Sequence, residues 1–195
     1  MKLRSLVPAA VVGVAALGVP AAASAAPAPA AINREATAAQ AKAADIAWMK
    51  TAAISDMSEI ASGKLAVSKA TTGGVKALGA MFVKDHTMHL ATLKKLAAAR
   101  DVALPTSLPP AMTAMMQKMT DAPAGLQWDR NWTRAQLSAH RMTIIATGKA
   151  RQVSRDSAVL AFERKTLPVV TMHHTELANV YLIIAPASTV KVTTG

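Results

Sequence analysis

Apolar residues recur at helical spacing through four long stretches of this chain. Between Thr37 and Ala70 no proline interrupts Ile46, Met49, Ala53, Met57, Ile60 and Val67, and a second row of Trp48, Ala52, Gly63 and Ala66 runs beside them. Residues three, four and seven apart share one side of an α-helix, so the pattern predicts a long helix with a broad buried stripe. Thr71-Thr72-Gly73-Gly74 ends it and offers a cap for the next. A second helix is expected from about Gly74 to Arg100, with Val75, Leu78, Phe82, Leu90, Leu93 and Leu96 inward. After a proline-bounded loop from Pro105 to Pro110, the stretch from Pro110 to Met119 reads as a short helix. The third long helix spans about Leu126 to Gln152, with Trp132, Leu137, Ile144 and Ala146 on its apolar side. The fourth runs from about Arg155 to Tyr181 through Val159, Phe162, Val169, Leu177 and Val180, and Pro168 is expected to kink or split it. Short connectors within each pair and a longer crossover between the second and third helices describe an all-α, four-helix bundle, with the short helix in the crossover. The bundle domain is placed at 37–184.

Composition agrees with this and narrows the chemistry. Of 195 residues, 52% are hydrophobic but only 3% aromatic, so the apolar content is Ala, Leu, Val, Ile and Met rather than the β-branched and aromatic runs of a strand-rich fold. There is no Cys, which removes disulfide frameworks, thiolate metal sites and thiol nucleophiles together. The N-terminus reads Met1-Lys2-Leu3-Arg4, then an apolar stretch from Leu6 to Val19, then Ala23-Ser24-Ala25. That is the order of a secretory signal peptide over 1–25, too short and too broken by Pro8, Gly13, Gly18 and Pro20 for a membrane span. Residues 26–36 read as an Ala/Pro tether, and 185–195 as a disordered Thr/Val/Lys-rich tail. The expectation is an exported, soluble protein, periplasmic or extracellular, with no transmembrane span after signal removal.

Formal charge is +11, two units of which belong to Lys2 and Arg4 in the leader. Much of the remainder falls between Arg130 and Lys165: Arg130, Arg134, Arg141, Lys149, Arg151, Arg155, Arg164 and Lys165 stand against only Asp156 and Glu163 in that stretch. With few aromatics and no recognition motif, nucleic acid is not expected; anionic envelope polymers or lipid headgroups suit such helix faces, which otherwise are simply solvated.

Four ionisable residues lie on the apolar stripes, one per long helix. Glu59 is in line with Trp48, Ala52, Gly63 and Ala66, His86 with Gly79, Phe82 and Leu93, His140 with Trp132 and Ile144, and His173 with Val169 and Leu177. Counting from the connecting loops at 1.5 Å per residue puts Glu59 and His86 roughly 18 to 20 Å along, and His140 and His173 roughly 20 and 27 Å from the opposite end. In an antiparallel bundle these depths approach one layer. A carboxylate and three imidazoles there suit one transition-metal ion, Fe, Mn, Zn or Cu, without thiolate. A Glu–His pair hydrogen-bonded to itself satisfies the same burial without metal. Both readings stand on the residues alone. A carboxylate-bridged di-iron centre is disfavoured, because it needs about four carboxylates and paired Glu-x-x-His motifs that this chain lacks. Met112, Met115, Met116 and Met119 fit the apolar side of the short helix, with Cu(I) thioether ligation as the chemical alternative. No nucleophile, base and oxyanion arrangement and no phosphate-binding glycine loop is present.

At these residues the chain resembles the bacterial domain-of-unknown-function 4142 family of exported proteins with a ferritin-like helical bundle. The family's opening block is matched by Trp48, Ala52-Ala53, Glu59-Ile60 and Gly63-Lys64-Leu65-Ala66, and its Asp-His motif by Asp85-His86. Its third block is matched by Asp129 and by His140 eleven residues later, with Trp132 where Tyr is usual, and its last block by Leu167-Pro168, Val170 and His173. The resemblance covers about Ile46 to Val180 and implies a ferritin-like four-helix bundle of no assigned catalytic activity. It picks out the same Glu59, His86, His140 and His173, and adds Asp85 as an outer-sphere or alternative ligand. The alternative to a metal protein is an envelope interaction or stress protein that docks on anionic polymers, with the Glu/His layer purely structural.

Overall fold

The computed structural model describes residues 29–186, with side chains from residue 42 onward. The expected signal peptide, the first residues of the tether and nearly all of the tail lie outside the described residues. Five helices and no strand are found among the described residues: α1 (Pro29–Lys69), α2 (Gly73–Ala98), α3 (Pro110–Asp121), α4 (Leu126–Val153) and α5 (Ser157–Ile184). α1 begins ahead of the expected Thr37 and takes in part of the stretch read as a tether. Proline is tolerated in a first helical turn, and the alanines that follow propagate a helix well.

The four long helices bundle, with α1 against α2, α4 against α5, α1 beside α4 and α2 beside α5, while α3 packs on α1. Their directions follow from the two ends. At one end Asp129, in the first turn of α4, accepts from the backbone N–H of Thr71 (3.1 Å) and Thr72 (2.7 Å) and from the Thr71 hydroxyl (2.9 Å). Thr72 occupies the N-cap position of α2 but makes no side-chain cap bond; the carboxylate that holds the turn comes from a different helix. At the other end Asp156 caps α5 through the N–H groups of Ala158 (2.9 Å) and Val159 (3.0 Å) and pairs with Arg100, just past α2 (2.7 Å). Neighbouring long helices therefore run antiparallel, and α3 lies in the chain between α2 and α4.

Two apolar clusters fill the interior. Toward the α1–α2 turn lie Val75, Leu78, Phe82, Trp128, Trp132 and Leu177, and toward the α4–α5 turn lie Trp48, Met49, Ala53, Leu93 and Val159. Each large side chain contributes about 1.5–3 kcal/mol by leaving water. α1 and α2 touch through glycine: a Cβ on Gly63 would stand 2.6 Å from the Gly79 carbonyl oxygen, and one on Gly79 would stand 2.7 Å from that of Gly63. Only glycine permits this backbone approach.

Two expectations change. α5 is unbroken from Ser157 to Ile184, so Pro168 does not split it. Its ring is exposed, where water can serve the carbonyl one turn earlier that loses its donor. Val67 and Val169, read as inward, are 46% and 41% exposed because each lies at the margin of its stripe.

Candidate metal centre

Between the two apolar clusters the interior turns polar. His86 follows Phe82 by one turn on α2, His140 follows Gln136 by one turn on α4, and His173 precedes Leu177 by one turn on α5. The stripes that bury Phe82 and Leu177 therefore carry the imidazoles inward as well. All three rings are buried. Their centroids form a near-equilateral triangle, 5.9 Å from His86 to His140, 5.4 Å from His86 to His173 and 5.5 Å from His140 to His173. Phe82 forms one wall, its ring 4.7 Å from His140 and 4.9 Å from His173.

Each ring is anchored through one nitrogen. His86 Nδ1 lies 2.8 Å from Asp56 Oδ1, His140 Nδ1 lies 3.0 Å from the Gln136 backbone carbonyl, and His173 Nε2 lies 3.0 Å from Asp85 Oδ2. A nitrogen that faces a carboxylate or carbonyl must carry the proton, which fixes the tautomer and leaves the other nitrogen with a lone pair. Those other atoms are His86 Nε2, His140 Nε2 and His173 Nδ1, and among the described residues none has a hydrogen-bond partner. One nitrogen from each of the three rings falls within 4.8 Å of the others. Buried acceptors cost about 1–3 kcal/mol each when left unmatched.

Burial and the His86 ring beside it push His140 down to about 3, and burial lowers His173 against the pull of Asp85. Both are neutral near neutral pH. Glu59 moves the other way, up to about 8, through burial and then the nearby Asp56 charge. Its Oε1 stands 3.8 Å from His140 Nδ1, the nitrogen already anchored on the Gln136 carbonyl. With the Gln136 amide turned to satisfy both neighbours, its nitrogen donates to Glu59 at 3.0 and 2.7 Å and its oxygen accepts from Ser62. Ser62 in turn accepts from Trp132 Nε1 at 2.8 Å, so the indole N–H enters the network.

The four residues read from sequence thus meet as three and one. His86, His140 and His173 converge, Glu59 lies behind His140, and Asp85 orients His173. Asp56 escaped the sequence reading although it is one turn after Ala52 and shares the Glu59 stripe; it holds both His86 and His89, the latter at 2.7 Å. His89, three residues after His86, completes a tie to Thr166 on α5 at 2.8 Å. Asp56, Glu59, His86 and His173 line a cavity of about 380 Å³ whose remaining wall includes Met112, Met115, Met116 and Met119 of α3. Second-sphere carboxylates and carbonyls that fix each imidazole are the usual support of histidine metal ligands.

The family described as domain of unknown function (DUF4142) matches residues 30–180. Among solved structures, the crystal structure of a conserved hypothetical protein, rv2844, from Mycobacterium tuberculosis aligns with a TM-score of 0.56 at 17% identity. The alignment covers 72% of this chain and 92% of that one. At that identity the likeness concerns the fold alone. No curated protein matches the sequence.

Proposed function

This chain belongs to the DUF4142 family, and on that premise we propose that it is an exported bundle of ferritin-like type that binds one transition-metal ion on His86, His140 and His173. The observation that carries the reading is a cluster of three buried imidazoles, each anchored through one nitrogen and each with its other nitrogen partnerless among the described residues, in which one nitrogen from each ring lies within 4.8 Å of the others. The donor set fits the ion: three neutral nitrogens in a triangle suit Fe, Mn, Zn or Cu and leave coordination positions over. A bound ion would supply Lewis-acid or redox chemistry at those positions. Asp56, Asp85 and the Gln136 carbonyl orient the ligands, Phe82 and Trp132 exclude water on one side, and Glu59 holds a proton beside His140. No catalytic activity is assigned.

Metal analysis of the intact chain, purified without a His tag, tests this beside His86→Ala and His140→Ala. Stoichiometric metal in the wild type and its loss in both variants is the expected result. A wild type that retains no metal even after reconstitution would overturn the ligand assignment. Export is supported by the leader at 1–25, and N-terminal sequencing of secreted protein should begin at Ala26. A second reading, docking on anionic envelope polymers or lipid headgroups, draws on the exposure of Arg134, Arg141, Lys149, Arg155, Arg164 and Lys165. It requires binding that falls steeply with salt.

A further inference from the structure

Of the four methionines of α3, Met119 packs against the apolar cluster near the α1–α2 turn, while Met112, Met115 and Met116 belong to neither core cluster. All four sit at relative positions zero, three, four and seven, one side of a helix, yet no residue of α3 is buried, and Met115 is 46% exposed. Four of the chain's 11 methionines are concentrated on this 12-residue helix, and all four line the cavity that His86 and His173 also line. α3 is tied down near its C-terminal end, where the Met119 carbonyl accepts from Trp128 Nε1 (2.8 Å) and the Thr120 carbonyl accepts from Lys69. The helix is thus held at one end, where Met119 also packs on the core, and its four thioether side chains line one wall of the cavity.

We propose that this methionine side of α3 is an entry site for Cu(I), which it passes to the three imidazoles across the cavity. The inference rests on the three-histidine reading and names its metal. Thioether sulfur is a soft, neutral donor that takes Cu(I) and discriminates against hard divalent ions, and imidazole accepts the same ion. In a chain without cysteine, methionine is the sole soft sulfur donor. The transfer involves no change of oxidation state: copper–sulfur bonds are exchanged for copper–nitrogen bonds. No proton has to leave, since the three receiving nitrogens present lone pairs.

The test compares the intact wild type with the quadruple variant Met112→Leu, Met115→Leu, Met116→Leu and Met119→Leu, which keeps volume and helix propensity and removes only sulfur. Under anaerobic conditions each protein competes with a bicinchoninate-type chelator for Cu(I), and each is separately titrated with Co(II) as a probe of the imidazoles alone. The wild type should take up Cu(I) at least about tenfold faster or tighter than the leucine variant. X-ray absorption at the copper edge should show sulfur neighbours during loading of the wild type only, and Co(II) binding should be the same in both. Equal Cu(I) uptake with no sulfur scattering, alongside normal Co(II) binding, would overturn the entry site and leave the histidine site standing. Failure of Co(II) to bind either protein would overturn the histidine reading and the transfer together. In a His86→Gln/His140→Gln variant, Cu(I) should remain on sulfur alone; loss of that sulfur-bound copper would also count against the entry site.

Discussion

Around His86, His140 and His173, every ring has one nitrogen tied to a neighbour, the other nitrogen has no partner among the described residues, and one nitrogen from each ring lies within 4.8 Å of the others. Around Glu163, nearer the α4–α5 turn, both carboxylate oxygens, Arg151 Nε and Ser154 Oγ lack partners among the described residues, and they are an acid, a guanidinium and a hydroxyl rather than three like donors. Burial and then Asp45 push Glu163 up to about 7, with Arg151 opposing. The difference is informative because both regions leave polar groups unmatched. Three like donors in one cluster suit a ligand; a carboxylate buried without a partner is a group that responds to pH.

The widest gap between the two regions should appear in metal affinity. His140→Ala should lose more than the roughly 100-fold that removal of an outer-sphere partner costs, because it deletes a donor. Glu163→Gln should leave affinity unchanged, as isothermal titration with Zn(II) would register. Next comes Asp56→Asn, which keeps the shape but weakens the anchor of both His86 and His89; affinity should fall by about 10- to 100-fold in the same titration. An Asp56→Asn protein that binds like wild type would mean that the anchoring serves folding alone.

Stability against pH separates the regions from the other side. Glu163 holds its proton more tightly in the folded state than at its ordinary 4.5. Its favourable contribution is therefore complete below that value and is lost as pH rises through about 7. Urea unfolding of the metal-free protein at pH 8 should show Glu163→Gln more stable than wild type by roughly 2–3 kcal/mol, with the two alike near pH 4.5. The smallest effect is a near absence of one. Burial lowers both His140 and His173 from the ordinary imidazole value, so near neutral pH metal displaces no proton from either ring. Affinity should therefore fall less between pH 7.5 and 6 than the roughly tenfold that two ordinarily titrating imidazoles would lose.

Helical phase alone found the three histidines that converge, because each interrupts an apolar stripe that also carries a Phe, a Trp or a Leu. It found Glu59 by the same rule but could not tell which edge of His140 the carboxylate meets, since that depends on the Gln136 amide across the α1–α4 contact. Asp56 was within reach of the method and lay unread on the stripe. Asp129 could not be assigned its part from one helix, because the backbone donors it satisfies belong to the turn between two others. Pro168 was given too much weight, for the cost of a missing hydrogen bond depends on whether the orphaned carbonyl meets solvent or core.

Gly63 and Gly79 carry no side chain and touch no imidazole, yet they set the tolerance to which the centre is built. Where two helix backbones meet directly, a slide of one along the other by a full turn, about 5.4 Å, replaces the glycine notch with Cβ atoms that cannot fit. α1 carries Asp56 and α2 carries His86 and His89, so the notch works as an indexing pin: it fixes how far along one rod the anchor stands from the ligands on the other. The same pin makes the α1–α2 pair a fixed jaw against which α4 and α5 bring their own histidines.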